Sequence, residues 1–141
     1  MIRRPLRVTL VFIGVVQLVL GAAFALAPAR FGAMLGLPET PTWVYWMFCM
    51  FSARALGFAY GMFLAARDPA RHIHWIQAMI GVQAIDWLAT MYFVLSGVVT
   101  LAQVSTASFL PIIFIGMLVV FYPRQQVATR VIHGQPLSPS K

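Results

Sequence analysis

Four apolar runs of about twenty residues, three of them ended by a proline or a charge, constrain this chain more than any other feature. They cover residues 6–27, 43–66, 74–97 and 101–122. Pro28 ends the first, Arg67-Asp68-Pro69 the second and Pro123-Arg124 the fourth. A helix rising 1.5 Å per residue needs ~20 residues to cross ~30 Å of hydrocarbon. Lipid offers no hydrogen-bond partners to an open strand, so each run is expected to be a helix. The expected fold is all-α: an integral membrane bundle of four transmembrane helices, up-down-up-down. The domain reading is a four-helix transmembrane domain over 1–123 and a polar tail over 124–141. The tail contains Pro136 and Pro139 and is expected to be disordered.

Composition supports a lipid setting. The chain is 61% hydrophobic and 9% charged, against roughly 25% charged in soluble domains. Residues 1–27 begin like a signal peptide, with a basic start and then an apolar run. That run, at about 20 residues, exceeds the 7–15 of a signal core and is expected to be a retained first helix.

The formal charge of +7 reads as orientation rather than as affinity for nucleic acid. Arg3, Arg4 and Arg7 precede the first run, Arg67 and Arg71 follow the second, and Arg124, Arg130 and Lys141 lie in the tail. All fall on one side of a four-span topology. The other side holds Arg30, offset by Glu39. The positive-inside rule then places both termini in the cytoplasm, as an even number of spans also requires. The loop over 28–42 carries Phe31, Met34, Leu35 and Leu37 and is expected as a short amphipathic turn or helix in the outer interface. Trp43, Tyr45 and Trp46 follow it as aromatic anchors, with Trp75 and Tyr122 at the opposite interface.

Two charges stand inside the apolar runs, Arg54 and Asp86. Each costs about 2.5–3.5 kcal/mol at bilayer depth on insertion scales, so such groups turn inward and pair. Counted outward from a hairpin near Pro69, they reach nearly the same depth, which predicts an ion pair between the second and third helices. Gln83, Asp86 and Thr90 share one helical face. Gln17 stands mid-run in the first helix, flanked by Gly14 and Gly21. Gln103, Ser105, Thr106 and Ser108 add polarity to the fourth run. Together they outline a hypothetical polar core of Arg54, Asp86, Gln83, Gln17 and Thr90. That core has three readings: a lock that sets bundle register, with Gln17 and Gln83 completing the hydrogen bonds; a ligand, proton or headgroup site; or a contact with a partner subunit. Ala53, Gly57, Gly61 and Ala65, spaced by four, predict a face for close helix approach.

Other signals are weaker. His72 and His74 flank Ile73 at a membrane edge and are candidate metal or haem ligands, but positions two apart on a helix diverge. The competing reading is a basic, headgroup-facing loop with Arg67 and Arg71. His133 lies in the tail. Cys49 and the methionines read as packing residues. No phosphate-cradling glycine loop, G-x-S-x-G or H-E-x-x-H motif is present, which argues against a standard hydrolase. No catalytic residue and no metal site is assigned.

The segment Leu26-Ala27-Pro28-Ala29-Arg30-Phe31 followed by Leu35-Gly36-Leu37-Pro38 resembles the first helix and outer turn of small DoxX-like bacterial membrane proteins. Arg54-Ala55-Leu56-Gly57, then Ala65-Ala66-Arg67-Asp68-Pro69, and an Asp in the third span, here Asp86, are similar to the same group. The resemblance covers about residues 6–122. It implies a four-helix bundle in the bacterial inner membrane and hints at quinone-linked redox enzymes, since the group is named for a small subunit of a terminal quinol oxidase.

The leading functional expectation is a non-catalytic accessory or scaffold subunit of a larger respiratory or photosynthetic membrane complex. The alternative is a protein that binds a small molecule, lipid or quinone, or a minimal transporter, built on Arg54 and Asp86. A third reading makes Asp86 the acid or base of a membrane enzyme. No resident cofactor is expected, with quinone or lipid as candidate ligands. The expected partners are membrane lipids and either other membrane subunits or further copies of the chain.

Overall fold

Proline and glycine set where the helices stop. The computed structural model describes residues 3–34, 36 and 41–122. Helix α1 runs Arg3–Leu26, α2 Pro28–Met34, α3 Thr42–Arg67, α4 Ile73–Leu95 and α5 Ser105–Val120. Pro28 disfavours helical backbone at Ala27 and then serves as the first residue of α2. At the end of α4, Gly97 takes φ +74°. Its N–H donates to the Val94 carbonyl and the Val98 N–H to the Phe93 carbonyl, each at 3.1 Å. This is a Schellman closure, which only glycine enters cheaply. The expected third span over 74–97 therefore stops two residues early.

The expected fourth span needs a larger correction. Residues 101–104 form turns, and α5 has 16 residues. A reciprocal side-chain bond joins Thr100 and Gln103 in these turns. The Gln103 side-chain oxygen accepts from both the N–H and the hydroxyl of Thr100 at 2.9 Å, and the Gln103 N–H donates to Thr100 Oγ1 at 3.4 Å. A capping box of this kind fixes a chain reversal ahead of the helix. All described elements are helices, and three of them, α1, α3 and α4, are long and apolar enough to cross a membrane. These are the features of a multi-pass membrane protein. The expected disordered tail, with Arg124, Arg130, Lys141 and His133, lies outside the described residues, as do Leu35, Leu37 and Glu39.

Helices α1 and α3 are antiparallel and pack closely. A methyl group added at Gly14 would meet the Phe63 ring at 2.9 Å, and one at Gly21 would meet Leu56 at 2.9 Å. Ser52 Oγ donates to the Gly21 carbonyl at 2.7 Å. The buried side of α3 runs Phe48, Ser52, Ala55, Ala59, Met62 and Ala66, the alternating three-four spacing of a helix seam. The expected stripe lies on a different face. Ala53 and Gly57 are exposed, and a methyl at Gly57 would meet nothing within 4 Å. Gly61 and Ala65 are buried; Gly61 lies under the Trp75 ring of α4.

One core joins all four long elements. Leu6, Leu10 and Ile13 of α1 meet Met62 and Ala65 of α3, Ile76 and Met79 of α4, and Phe114 and Leu118 of α5. These residues lie where α1 begins, α3 ends and α4 begins, the hairpin end of the molecule. At the far end α1 and α3 stay packed. There Phe24 of α1 packs on Phe31 of α2 and Phe48 of α3, with centroids 4.4 and 5.3 Å away. No residue of α4 beyond Gln83 is buried. In lipid, apolar surface gains nothing by leaving its solvent, so packing and hydrogen bonds hold such helices together.

Candidate functional site: an ion pair at mid-helix

Arg54 and Asp86 occupy matching heights. Each stands about thirteen residues, roughly 20 Å, from the α3–α4 hairpin end of its own helix. The face of α3 that meets α4 runs Arg54, Phe58, Gly61 and Ala65. Below the charges, the Trp75 ring covers Gly61 and meets Phe58 edge-on at 6.1 Å. One turn above Phe58 the Arg54 guanidinium bonds the Asp86 carboxylate, Nη2 to Oδ2. The Phe51 ring lies beneath the guanidinium at 5.4 Å, within cation–π range.

On α4 the positions Ile76, Met79, Gln83, Asp86 and Thr90 form one three-four series. Its lower members are buried in the core. It turns polar as it leaves the core, so the ion pair stands where the four-helix packing ends. The side chains of Arg54 and Asp86 keep 43% and 34% of their surface exposed.

The expected polar core is less connected than its spacing suggests. The Gln17 and Gln83 amides both turn to the Met79 sulfur, at 3.9 and 3.6 Å, and neither reaches the pair. Thioether sulfur is a weak acceptor. Thr90 Oγ1 donates to the Asp86 backbone carbonyl at 2.7 Å, not to its carboxylate. Ser108 likewise bonds the Val104 carbonyl within its own helix at 2.9 Å, and Gln103 is used in the cap. Short polar side chains on helices often satisfy themselves this way. The glutamines therefore do not complete the hydrogen bonds of the ion pair.

The arrangement leaves capacity unused. A guanidinium has five N–H donors and a carboxylate two oxygens, and the contact uses Nη2 and Oδ2. Among the described residues no other hydrogen bond reaches either group. Next to Asp86 in sequence, the Trp87 Nε1 is buried and has no hydrogen-bond partner among the described residues. Sequence reasoning missed Trp87, and also Phe51 and Met79; the three-four series on α4 could have exposed Met79.

The two histidines differ in surroundings. His72 precedes α4 and is half-buried, while His74 is exposed on its first turn. No group of three or more His, Cys, Asp or Glu able to hold a metal occurs among the described residues. Cys49 is exposed on α3. Comparison with known proteins finds no matching family model, no matching curated protein and no matching solved structure.

Proposed function

We propose that this protein is a non-catalytic accessory or scaffold subunit of a larger complex in the bacterial inner membrane. In this reading α5 is a fourth span, both termini are cytoplasmic, and the complex is respiratory or photosynthetic. The observation that carries the reading is the half-exposed Arg54–Asp86 pair, which stands on α4 beyond its last buried residue, Gln83. Hydrocarbon is a costly neighbour for a charged pair at mid-helix. A partner helix laid against α3 and α4 would cover the pair and take up its unused donors and acceptors. The resemblance to DoxX-like proteins supports the same direction. Native mass spectrometry on gently extracted protein tests it, and a stoichiometric complex with other subunits is the expected result. Recovery only as a free monomer counts decisively against it.

A second reading, a site for a small molecule, lipid or quinone, is favoured by one observation, the unpartnered Trp87 Nε1. In that case the free protein carries a reproducible small mass, which Arg54→Ala removes while the helices still insert.

A further inference from the structure

The hairpin end gathers basic groups from three elements that are far apart in sequence. Arg4 and Arg7 lie on the first turns of α1, Arg67 closes α3, and Arg71 lies in the turn before α4; all four are exposed. The fold brings them together through one contact. Arg7 Nη2 donates to the Arg67 backbone carbonyl at 3.4 Å. That bond places a guanidinium on the carbonyl-rich C-terminal end of α3, whose partial negative charge would otherwise repel an anion. The only described carboxylate at this end is Asp68, and its Oδ1 accepts from the Arg71 N–H at 3.2 Å. It holds the turn and leaves the arginine side chains unpaired by it. Helix α4 begins here with no side-chain cap on its first N–H groups, a second source of positive potential. Tyr122 stands at this end too and accepts from the Gln77 amide at 2.9 Å, while the Trp75 ring turns inward over Gly61. Among the described residues, four arginines and one carboxylate thus gather at one end of three helices long and apolar enough to cross a membrane.

We infer that this rim binds the phosphate of an anionic phospholipid, with Arg7, Arg67 and Arg71 as the contacts and Arg4 beside them. Clusters of Arg next to a span attract anionic headgroups by roughly fivefold in affinity per residue. The inference stands apart from the accessory-subunit reading, because it needs no partner protein and uses none of the residues near Arg54.

The test uses the full chain in detergent, titrated with phosphatidylglycerol or with phosphatidylcholine and read by lipid retention in native mass spectrometry. The expected result is preferential retention of phosphatidylglycerol. Arg67→Gln with Arg71→Gln should weaken that retention about thirtyfold. Neither side chain makes a hydrogen bond in the described structure, so folding should persist, checked by an unchanged helical circular-dichroism spectrum. Arg30→Gln, exposed on α2 at the far end, should leave retention unchanged. Equal retention of the two lipids overturns the inference, as does an equal loss in Arg30→Gln. Displacement of phosphatidylglycerol by millimolar inorganic phosphate overturns it too, since the rim would then be a free-phosphate site.

Discussion

Gly57 and Gly61 stand one turn apart on α3 and meet different surroundings. A methyl group at Gly61 would overlap the Trp75 ring, whereas one at Gly57 would touch nothing within 4 Å. Gly61→Ala must push a large, packed ring aside, at a cost of about 1–3 kcal/mol. Gly57→Ala removes only backbone freedom and should leave stability unchanged or raise it by ~0.5–1 kcal/mol. Thermal unfolding of both variants in one detergent checks the contrast; a similar loss in both would mean that Gly57 is covered. The ion pair gives a second residue-scale expectation. A fully buried pair loses about 3–5 kcal/mol when one partner is removed, and an exposed one about 0–1. With a third or more of each side chain exposed, Asp86→Asn should cost about 1–3 kcal/mol. The double variant Arg54→Met with Asp86→Leu removes both charges and should recover most of that loss. If the double variant folds but no longer retains partner subunits, the pair is a contact; if it folds and retains them, the pair only sets register.

At the scale of elements, helix ends were partly legible in the sequence. Pro28 and Arg67-Asp68-Pro69 stop α1 and α3 within a residue of the expected positions. The Thr100-x-x-Gln103 cap and the Gly97 closure are equally visible as letters, but hydropathy alone absorbs them into one apolar run. The depth of Arg54 and Asp86 followed from counting, since rise per residue is nearly constant. Facing did not follow. In helices that are apolar all round, periodicity carries little information: of the stripe Ala53, Gly57, Gly61 and Ala65, only Gly61 and Ala65 are buried, and Ser52, Ala55 and Ala59 form the seam with α1. Side-chain direction was equally hidden: Gln17 and Gln83 share a level with the pair's surroundings yet bond Met79. The turn devices carry their own prediction. Gly97→Ala forces a side chain into left-handed backbone and should cost about 1–2 kcal/mol. Gln103→Ala loses the side-chain bonds that hold the turn to Thr100, worth about 0.5–1.5 kcal/mol. Hydrogen exchange should quicken at the amides of 96–108 in both, with the α1–α3 pair unchanged. A uniform quickening across α1 and α3 would show that the α4–α5 turn is not an independent unit.

At the scale of the whole molecule, the decisive quantity is whether α5 crosses the membrane. Its 16 residues reach roughly 24 Å, short of the ~30 Å hydrocarbon core. Two features favour a crossing. The turn at 100–104 adds height at one end while the cap satisfies its own backbone groups, which is the condition for irregular chain near a bilayer. Phe114 and Leu118 also seat α5 in the same core as α1, α3 and α4, so it cannot lie flat on a membrane surface without emptying that core. A short span is accommodated by local thinning at a fraction of a kcal/mol per Å, while emptying a site the size of Phe114 costs about 3–5 kcal/mol by analogy with Phe→Ala changes. Crossing is the outcome the proposed four-span reading expects. On that reading the positive-inside rule would put the hairpin rim, and the C-terminus with it, in the cytoplasm. A C-terminal green fluorescent protein fusion should therefore fluoresce, and an alkaline phosphatase fusion at the same point should be inactive. A phosphatase fused after Thr100 should be active. Activity of both phosphatase fusions would mean that α5 turns back without crossing. The molecule would then be a three-span protein whose fourth helix plugs the core from one side.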